Sequence, residues 1–372
     1  MANHLFALPL LFFHLLLLLL FTYSSALSQA KTLSNLTSPY LFPSTFLPNY
    51  HHMLQNFKIF VYDPSPKPTF SNPVETLFHS SLLKSPLLTS DPDLAHLFYL
   101  SLPSDLSSRS TARSIRELRL KFPFWNRTLG ADHFYVSCTG MGIESDRNLV
   151  ELKKNSIQIS CFPTIEGRFI PHKDVTLPPL SRNVEESKNA ERFLGFYYGK
   201  EGGGISTVLD GLRRDPEFLI ESQPLDDGDV AEKISRSRFC LFFYGFGREM
   251  KVGEALRGGC VPVVISDRPI LDLPFGDVLR WPEIAVFVGM GGGGEDVKHV
   301  LRRTCGERYD RMRELGKKAS VHFEWDWDGS MKKRYGYGYD AFHTVLYQLW
   351  IRRHTIRYSR REEWVSSAHV RV

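Results

Sequence analysis

A chain of 372 residues with 42% hydrophobic and 23% charged content is neither disordered nor fibrous, and its length favours two domains over one. Its 46 Lys and Arg against 41 Asp and Glu leave a net +5, too mild for a dedicated nucleic-acid binder. From Leu301 onward 16 basic residues face 9 acidic ones, so the rest of the chain is close to neutral, and five cysteines are too few for a disulfide scaffold.

Residues Leu5 to Tyr23 are apolar apart from Pro9, His14 and Thr22, and a run of about 19 residues can cross a bilayer as a helix. Two readings of residues 1–25 stay open: a cleaved signal peptide with Ser24-Ser25-Ala26 at its end, and an uncleaved signal anchor that attaches the chain to a membrane. Either one sends the body into the secretory lumen, where the sequons at Asn35 and Asn126 can be glycosylated. Residues 26–50 are rich in Ser, Thr, Pro and Asn and read as a stem.

The body alternates strands and helices. Phe57 to Tyr62 reads as a strand, Glu75 to Leu83 as a helix, Ala95 to Leu100 as a strand, and a helix carrying Arg113, Arg116 and Arg119 follows. Asp132 to Ser137 and Ile157 to Ser160 are further strands, and Pro171 to Pro179 is an extended approach to a linker. This series predicts a first domain over residues 51–185. A second runs over 186–350, with strands at Arg192 to Tyr198, Phe239 to Phe243, Val261 to Ile265 and Ile284 to Val288, a mainly helical stretch from Glu295, and a basic tail at 351–372. The pattern is that of an α/β protein with two doubly wound, Rossmann-like parallel sheets facing a cleft.

Chemistry concentrates between Arg238 and Trp281. Phe239 to Phe243 is a strand buried on both faces, Tyr244-Gly245-Phe246-Gly247 a turn, Glu249 to Arg257 a helix, and Cys260 to Ile265 the next buried strand. In such a unit the loops after the strands line the ligand crevice. Backbone amides from Gly247 to Met250 favour a diphosphate, with Arg248 and Lys251 adding charge and Ser266, Asp267 and Arg268 at the same edge. Solvated loop positions are the plain alternative for these charged residues.

Val252-Gly253-Glu254-Ala255-Leu256, Gly259 to Asp267 and Leu273-Pro274-Phe275-Gly276-Asp277-Val278-Leu279-Arg280-Trp281 resemble the C-terminal signature of the exostosin family of glycosyltransferases, in its plant branch, glycosyltransferase family 47. The likeness continues upstream in family order through Lys58 to Tyr62, Thr89-Ser90-Asp91-Pro92, Ala95 to Phe98, Pro123 to Asn126, Gly130 to Phe134 and Lys173-Asp174-Val175. The resemblance implies a GT-B type enzyme, single-pass type II in the Golgi membrane with a lumenal catalytic domain, or secreted if the signal is cleaved. It implies transfer of a sugar from a UDP-sugar to a cell-wall polysaccharide or glycoprotein glycan, with inversion, no resident cofactor or metal, and homo- or hetero-oligomers with other glycosyltransferases. By the same likeness Gly247, Arg248, Lys251, Glu254 and Asp267 hold the nucleotide-sugar, Glu254 at the ribose. Lys251 stands where the family usually has Arg and lacks the bidentate fork.

The family commonly shows His-Asp-Trp where this chain has Cys138-Thr139-Gly140-Met141-Gly142. The base that takes the acceptor proton therefore falls to Asp132 and His133, which match the family, or to Glu144 and Asp146 in the following loop. A catalytically impaired member that binds glycan or nucleotide-sugar as a partner subunit is the second reading.

Gly289-Met290-Gly291-Gly292-Gly293-Gly294 meets the dinucleotide spelling, but no second strand follows to carry the acidic ribose contact. Asp-x-Asp occurs at Asp91, Asp227 and Asp326, none of them ending a buried strand. Cys138 and Cys161 end successive strands and can be bridged, whereas Cys240 and Cys260 read as apolar core.

Overall fold

The computed structural model describes residues 38–62, 68–103, 105–142, 144–181, 184, 193–246, 251–326 and 339–353. The apolar run, Asn35, Gly247, Arg248 and the tail beyond 353 lie outside them. Among the described residues no helix is long and apolar enough to cross a membrane.

Helix α1 (Pro43–Asn56) opens the described fold, with Phe46, Tyr50 and Met53 buried at helical spacing. The expected stem to residue 50 is thus too long, because Pro43 sits at the helix start, where its missing N–H is no loss, and the aromatic stripe behind it packs. There follow β1 (Ile59–Val61), α2 (Pro73–Leu83), β2 (Leu97–Leu100), α3 (Ser108–Lys121), α4 (Phe124–Thr128), β3 (His133–Val136), α5 (Arg147–Asn155), β4 (Ile157–Cys161) and β5 (Val175–Leu177). The five strands lie side by side in chain order, all parallel. β5 corrects the expected linker: Val175, Thr176 and Leu177 pair with Ile159, Ser160 and Cys161 before the prolines end the strand.

Leu88 makes a parallel bridge to Ile59 on the side of β1 away from β2. The chain therefore steps outward from β1 through α2 and then back across to β2. Right-handed crossovers in opposite directions put their helices on opposite faces. The cores agree: Leu97 and Tyr99 of β2 pack with α1 and α2, while Phe98 and Leu100 pack with Ile115 of α3 and Leu152 of α5.

The second series is β6 (Phe193–Tyr198), α6 (Ser206–Arg213), β7 (Phe218–Glu221), α7 (Asp227–Ser235), β8 (Ser237–Phe243), α8 (Val252–Arg257), β9 (Val261–Ile265), β10 (Val286–Val288), α9 (Gly293–Thr304) and α10 (Glu307–Ser320). Its strand order is β10-β9-β8-β6-β7, again all parallel. Edge strand β7 was not anticipated from sequence, and the last strand is shorter than expected because Trp281-Pro282-Glu283 turns as a 3-10 helix.

The two layers share one core. Val252 and Leu256 of α8, Val264 of β9 and Leu315 of α10 join it with the first layer's Phe78 and Phe134. A helix at 341–353 runs back from the second layer to the first, setting Phe342 5.4 Å from Phe78, Tyr347 5.1 Å from Phe46 and Trp350 5.5 Å from Phe57 between ring centroids. Disulfides join Cys138 to Cys161 and Cys240 to Cys260. The second pair was expected as apolar core on adjacent strands; the register of β8 and β9, with Cys240 opposite Pro262, brings the two Cα atoms to 5.7 Å and the sulfurs are bonded.

Candidate active site

In the second sheet the strand order reverses between β6 and β8, and ligands of open parallel sheets sit outside the strand ends at such a point. After β6 the chain reads Gly199-Lys200-Glu201-Gly202-Gly203-Gly204 and enters α6. Gly203 has φ +58°, and a Cβ there would stand 3.3 Å from the Phe246 ring, which follows β8. A Cβ on Gly204 would meet Met290, after β10, at 3.7 Å. The Met290 amide in turn donates to Asp267, after β9, at 2.6 Å. Four loops thus converge around Gly203, Phe246, Asp267 and Met290, with Phe246 41% exposed at the mouth. This glycine loop and Phe246 were missed in the sequence reading; three glycines between a strand and a helix were the available signal.

The Gly289–Gly294 run, set aside above as a dinucleotide motif, has a packing reason. A Cβ on Gly294 would stand 2.9 Å from the Val208 carbonyl, and one on Gly211 3.4 Å from Gly294, so these glycines let α9 and α6 pack closely.

Of the predicted donor residues, Asp267 lies in this crevice. Lys251 precedes the short helix α8 as its N-cap and Glu254 sits in its first turn, their Nζ and Oε1 3.9 Å apart, with Glu254 2% exposed. Gly247 and Arg248 lie outside the described residues.

The first sheet carries a cleft of about 390 Å³ at the carboxyl ends of β2 and β3, lined among others by Tyr135, Thr139, Gly140, Met141, Glu144 and Arg168. Gln158 builds its wall: its Oε1 accepts from the Tyr135 hydroxyl at 2.9 Å and the Met141 amide at 2.7 Å, while its Nε2 donates to Ser160 Oγ at 2.7 Å and the Arg168 carbonyl at 2.8 Å. The Arg168 guanidinium donates to the carbonyls of Thr139 and Gly140 at 3.1 and 3.3 Å. From beneath, buried Glu75 accepts the Cys138 amide at 2.6 Å, and the Cys138–Cys161 disulfide ties the loop to β4. Glu144 lines the cleft and accepts from Ser108 Oγ at 2.8 Å, whereas Asp146 caps α5.

Asp132 and His133 stand elsewhere. His133 begins β3, at the amino edge opposite the cleft, and is 0% exposed. Its Nδ1 shares a hydrogen with Asp132 at 2.8 Å, and its Nε2 with the Tyr62 hydroxyl at 2.8 Å. Burial drives the His133 pKa below its ordinary value despite Asp132. Burial works against ionised Asp132 too, but the hydrogen bonds from His133 and Thr128 and the charge of Arg127 hold its pKa below the usual range. The pair is a satisfied scaffold under Phe98 and Trp125, and the geometry corrects its expected role as base. Asn126, exposed in α4, keeps its side chain at the surface.

Among the described residues no three His, Cys, Asp or Glu side chains cluster to hold a metal. Asp91 accepts from the Asp93 amide in an exposed turn, Asp227 and Asp229 open α7, and Asp328 lies outside the described residues.

The two edges meet through the loop after β4. Asp272, 2% exposed, accepts from the Thr164 amide and hydroxyl, both at 2.7 Å, and from the Tyr244 hydroxyl at 2.7 Å. Burial and Asp272 together push the Tyr244 pKa well up, so this phenol stays a donor. Beside it, Arg268 pairs with Glu166 at 2.5 Å.

Residues 53–303 match the Exostosin GT47 domain. The chain is 30% identical over 350 residues to the Arabidopsis thaliana protein named Probable glycosyltransferase At3g07620, covering 85% of this chain and 72% of that one. It is 29% identical to Probable glycosyltransferase At5g03795 of the same plant, over 83% of this chain and 64% of the other. Probable beta-1,4-xylosyltransferase IRX10, also of Arabidopsis thaliana, is 28% identical over 58% and 61% of the two chains. The chain thus spans less than two thirds of the second and third of these relatives. The crevice, the cleft and the domain match converge on one statement: the chain belongs to the exostosin GT47 family and is a glycosyltransferase.

Proposed function

We propose that the protein is an inverting GT-B type glycosyltransferase of the Golgi lumen, moving a sugar from a UDP-sugar to a cell-wall polysaccharide or glycoprotein glycan. One observation carries this reading: the carboxyl edges of both sheets are joined by the Thr164–Asp272–Tyr244 bridge and the Glu166–Arg268 pair, which sets the cleft beside the glycine-loop crevice. The crevice takes the donor. Backbone amides at the Gly203 turn, with Arg268 and Lys251, offset diphosphate charge as it grows on departure, Phe246 offers a face for a ring, and Glu254 and Asp267 accept from donor hydroxyls.

The cleft takes the acceptor. Glu144 is the carboxylate that lines it, and Ser108 holds one of its oxygens. The acceptor oxygen bonds to the anomeric carbon from the face opposite the leaving group, its proton passes to Glu144, and the carbon–phosphate oxygen bond breaks with its electron pair leaving on UDP. The apolar Leu5–Tyr23 supports anchoring as a type II protein, with secretion after cleavage as the alternative.

A second reading is favoured by one feature of the cleft: Thr139, Gly140 and Met141 carry no group able to take a proton at pH 7. A catalytically impaired member would bind donor or glycan as a partner subunit. Incubating the purified lumenal chain with a panel of UDP-sugars, and measuring UDP release with and without glycan acceptors, decides between them. Turnover supports the enzyme; thermal stabilisation by UDP without turnover supports the partner subunit; neither effect overturns the donor crevice.

A further inference from the structure

Arg268 stands between the two edges. Just after β9 its backbone is fixed by Ser266, whose Oγ accepts the Arg268 amide at 3.1 Å and donates to the Arg268 carbonyl at 2.9 Å. A Cβ on Gly245, the residue before Phe246, would lie 3.0 Å from Nη2, so the guanidinium covers the turn at the mouth of the crevice. Nη1 donates to Glu166 of the first layer at 2.5 Å.

Glu166 belongs to a turn that also touches the cleft. The Arg168 amide donates to the Ile165 carbonyl at 3.0 Å, and Gly167 between them has φ +74°, as the third position of a type II turn requires. The turn begins beside Thr164, which Asp272 of the second layer holds. It ends at Arg168, whose guanidinium donates to Thr139 and Gly140 in the cleft wall and whose carbonyl accepts from Gln158. One turn thus carries an acid to the donor side and a base to the acceptor side.

A carboxylate and a diphosphate present the same anionic oxygens to a guanidinium. The side chains of Arg268 and Glu166 are 55% and 82% exposed, and an exposed pair contributes little, so a more strongly charged anion displaces it. We propose that Glu166 is an internal competitor for the nucleotide diphosphate at Arg268, and that its displacement by the donor loosens the turn and signals donor occupancy to the acceptor cleft. The inference rests on the crevice being the donor site and the cleft the acceptor site. The turn has two states, paired and released, and a ligand that favours the released state at one site favours it at the other.

Titration calorimetry with UDP tests the competition. Glu166→Gln removes the competitor and keeps the side chain's size, so UDP should bind about two- to fivefold more tightly than to the wild type. In an Arg268→Gln background the same substitution should change nothing, because the two residues act as one pair. Amide exchange tests the signal: the Arg168 amide should exchange faster in the wild type when UDP is bound, and in Glu166→Gln at the faster rate with or without UDP. Equal UDP affinity of wild type and Glu166→Gln overturns the proposal and leaves the donor crevice standing. An equal gain in the Arg268→Gln background shows that the carboxylate acts through its charge alone, and overturns it too. An Arg168 amide indifferent to UDP removes the link to the cleft and likewise overturns it. No UDP binding by the wild type sinks the donor crevice itself and this inference with it, so the two failures are distinguishable.

Discussion

The two sheets share a winding pattern yet are finished differently. Counting the bridge at Leu88 as an edge, each steps outward from its first strand, returns past it, and then continues in one direction. The second sheet leaves its crevice to glycines and one exposed phenylalanine. The first builds its cleft from fixed groups: Gln158 makes four side-chain hydrogen bonds, a disulfide holds the loop, and Arg168 closes over its carbonyls. A common topology therefore says where ligands sit, and the side chains at each edge decide what they are. On the proposed reading, one edge lets backbone approach a nucleotide and the other holds side chains still around an acceptor.

The largest expected effect tests this division at the cleft. Glu144→Gln keeps the shape and the bond to Ser108 but removes the proposed base, so kcat should fall about a hundredfold or more. UDP affinity, which the proposal assigns to the other sheet, should not move. A parallel loss of UDP binding would show that the edges do not act separately.

Next in size is the joint between them. Asp272→Ala leaves the Thr164 amide and hydroxyl and the Tyr244 hydroxyl without their acceptor in a buried place, a loss of about 2–4 kcal/mol. Urea unfolding measures it, and Tyr244→Phe should cost less, about 1–2 kcal/mol, because Asp272 Oδ1 loses its donor while Oδ2 keeps both bonds from Thr164. If the two variants were equal, the bridge would not be holding the loop after β4.

A smaller effect separates two neighbouring glycines. Gly203→Val forces a β-branched residue into the left-handed region and towards Phe246, and should weaken UDP binding roughly tenfold. Gly202→Ala is the control: its backbone is extended and a Cβ there meets nothing within 4 Å, so binding should be unchanged. Titration calorimetry with UDP reads both.

What could be seen in the sequence divides along the same line. Runs such as Phe239 to Phe243 and Val261 to Ile265 announce strands buried on both faces, and the alternation with helices gives the layers. The proposed base does not show itself this way. Asp132 and His133 are polar residues beside a strand, but they mark its beginning, and a strand of four residues puts about 13 Å between its two edges. Glu144 gains meaning only when folding brings Ser108, some 36 positions away, against it. Strand β7 was hidden because its apolar run, Phe218-Leu219-Ile220, is only three residues long and stops at Glu221, and the Cys240–Cys260 bond because it depends on the register of two strands, which pattern alone does not fix.

The smallest effect concerns how the first layer is closed. It is completed by both ends of the described chain, and His322 lies where they meet: Nδ1 is 2.7 Å from Thr344 Oγ1 and Nε2 is 3.1 Å from the Tyr40 hydroxyl. Burial lowers its pKa to about 4, against about 6.5 in an unfolded chain. The unfolded state therefore takes up a proton first as pH falls. Stability contributed by neutral His322 is full above about pH 6.5 and drains away between there and about pH 4, by about 1 kcal/mol on going from pH 7 to 5.5. His322→Asn can keep bonds to Tyr40 and Thr344 without titrating, so its unfolding free energy should depend less on pH over this window, though packing losses lower the whole curve. The second sheet, complete within a continuous stretch of chain, has no such joint, and amide exchange followed from pH 7 to 5.5 should loosen α1 and the helix at 341–353 before β8 and β9. If all four loosen together, or if His322→Asn retains the wild-type slope, the pH sensitivity does not arise from this histidine.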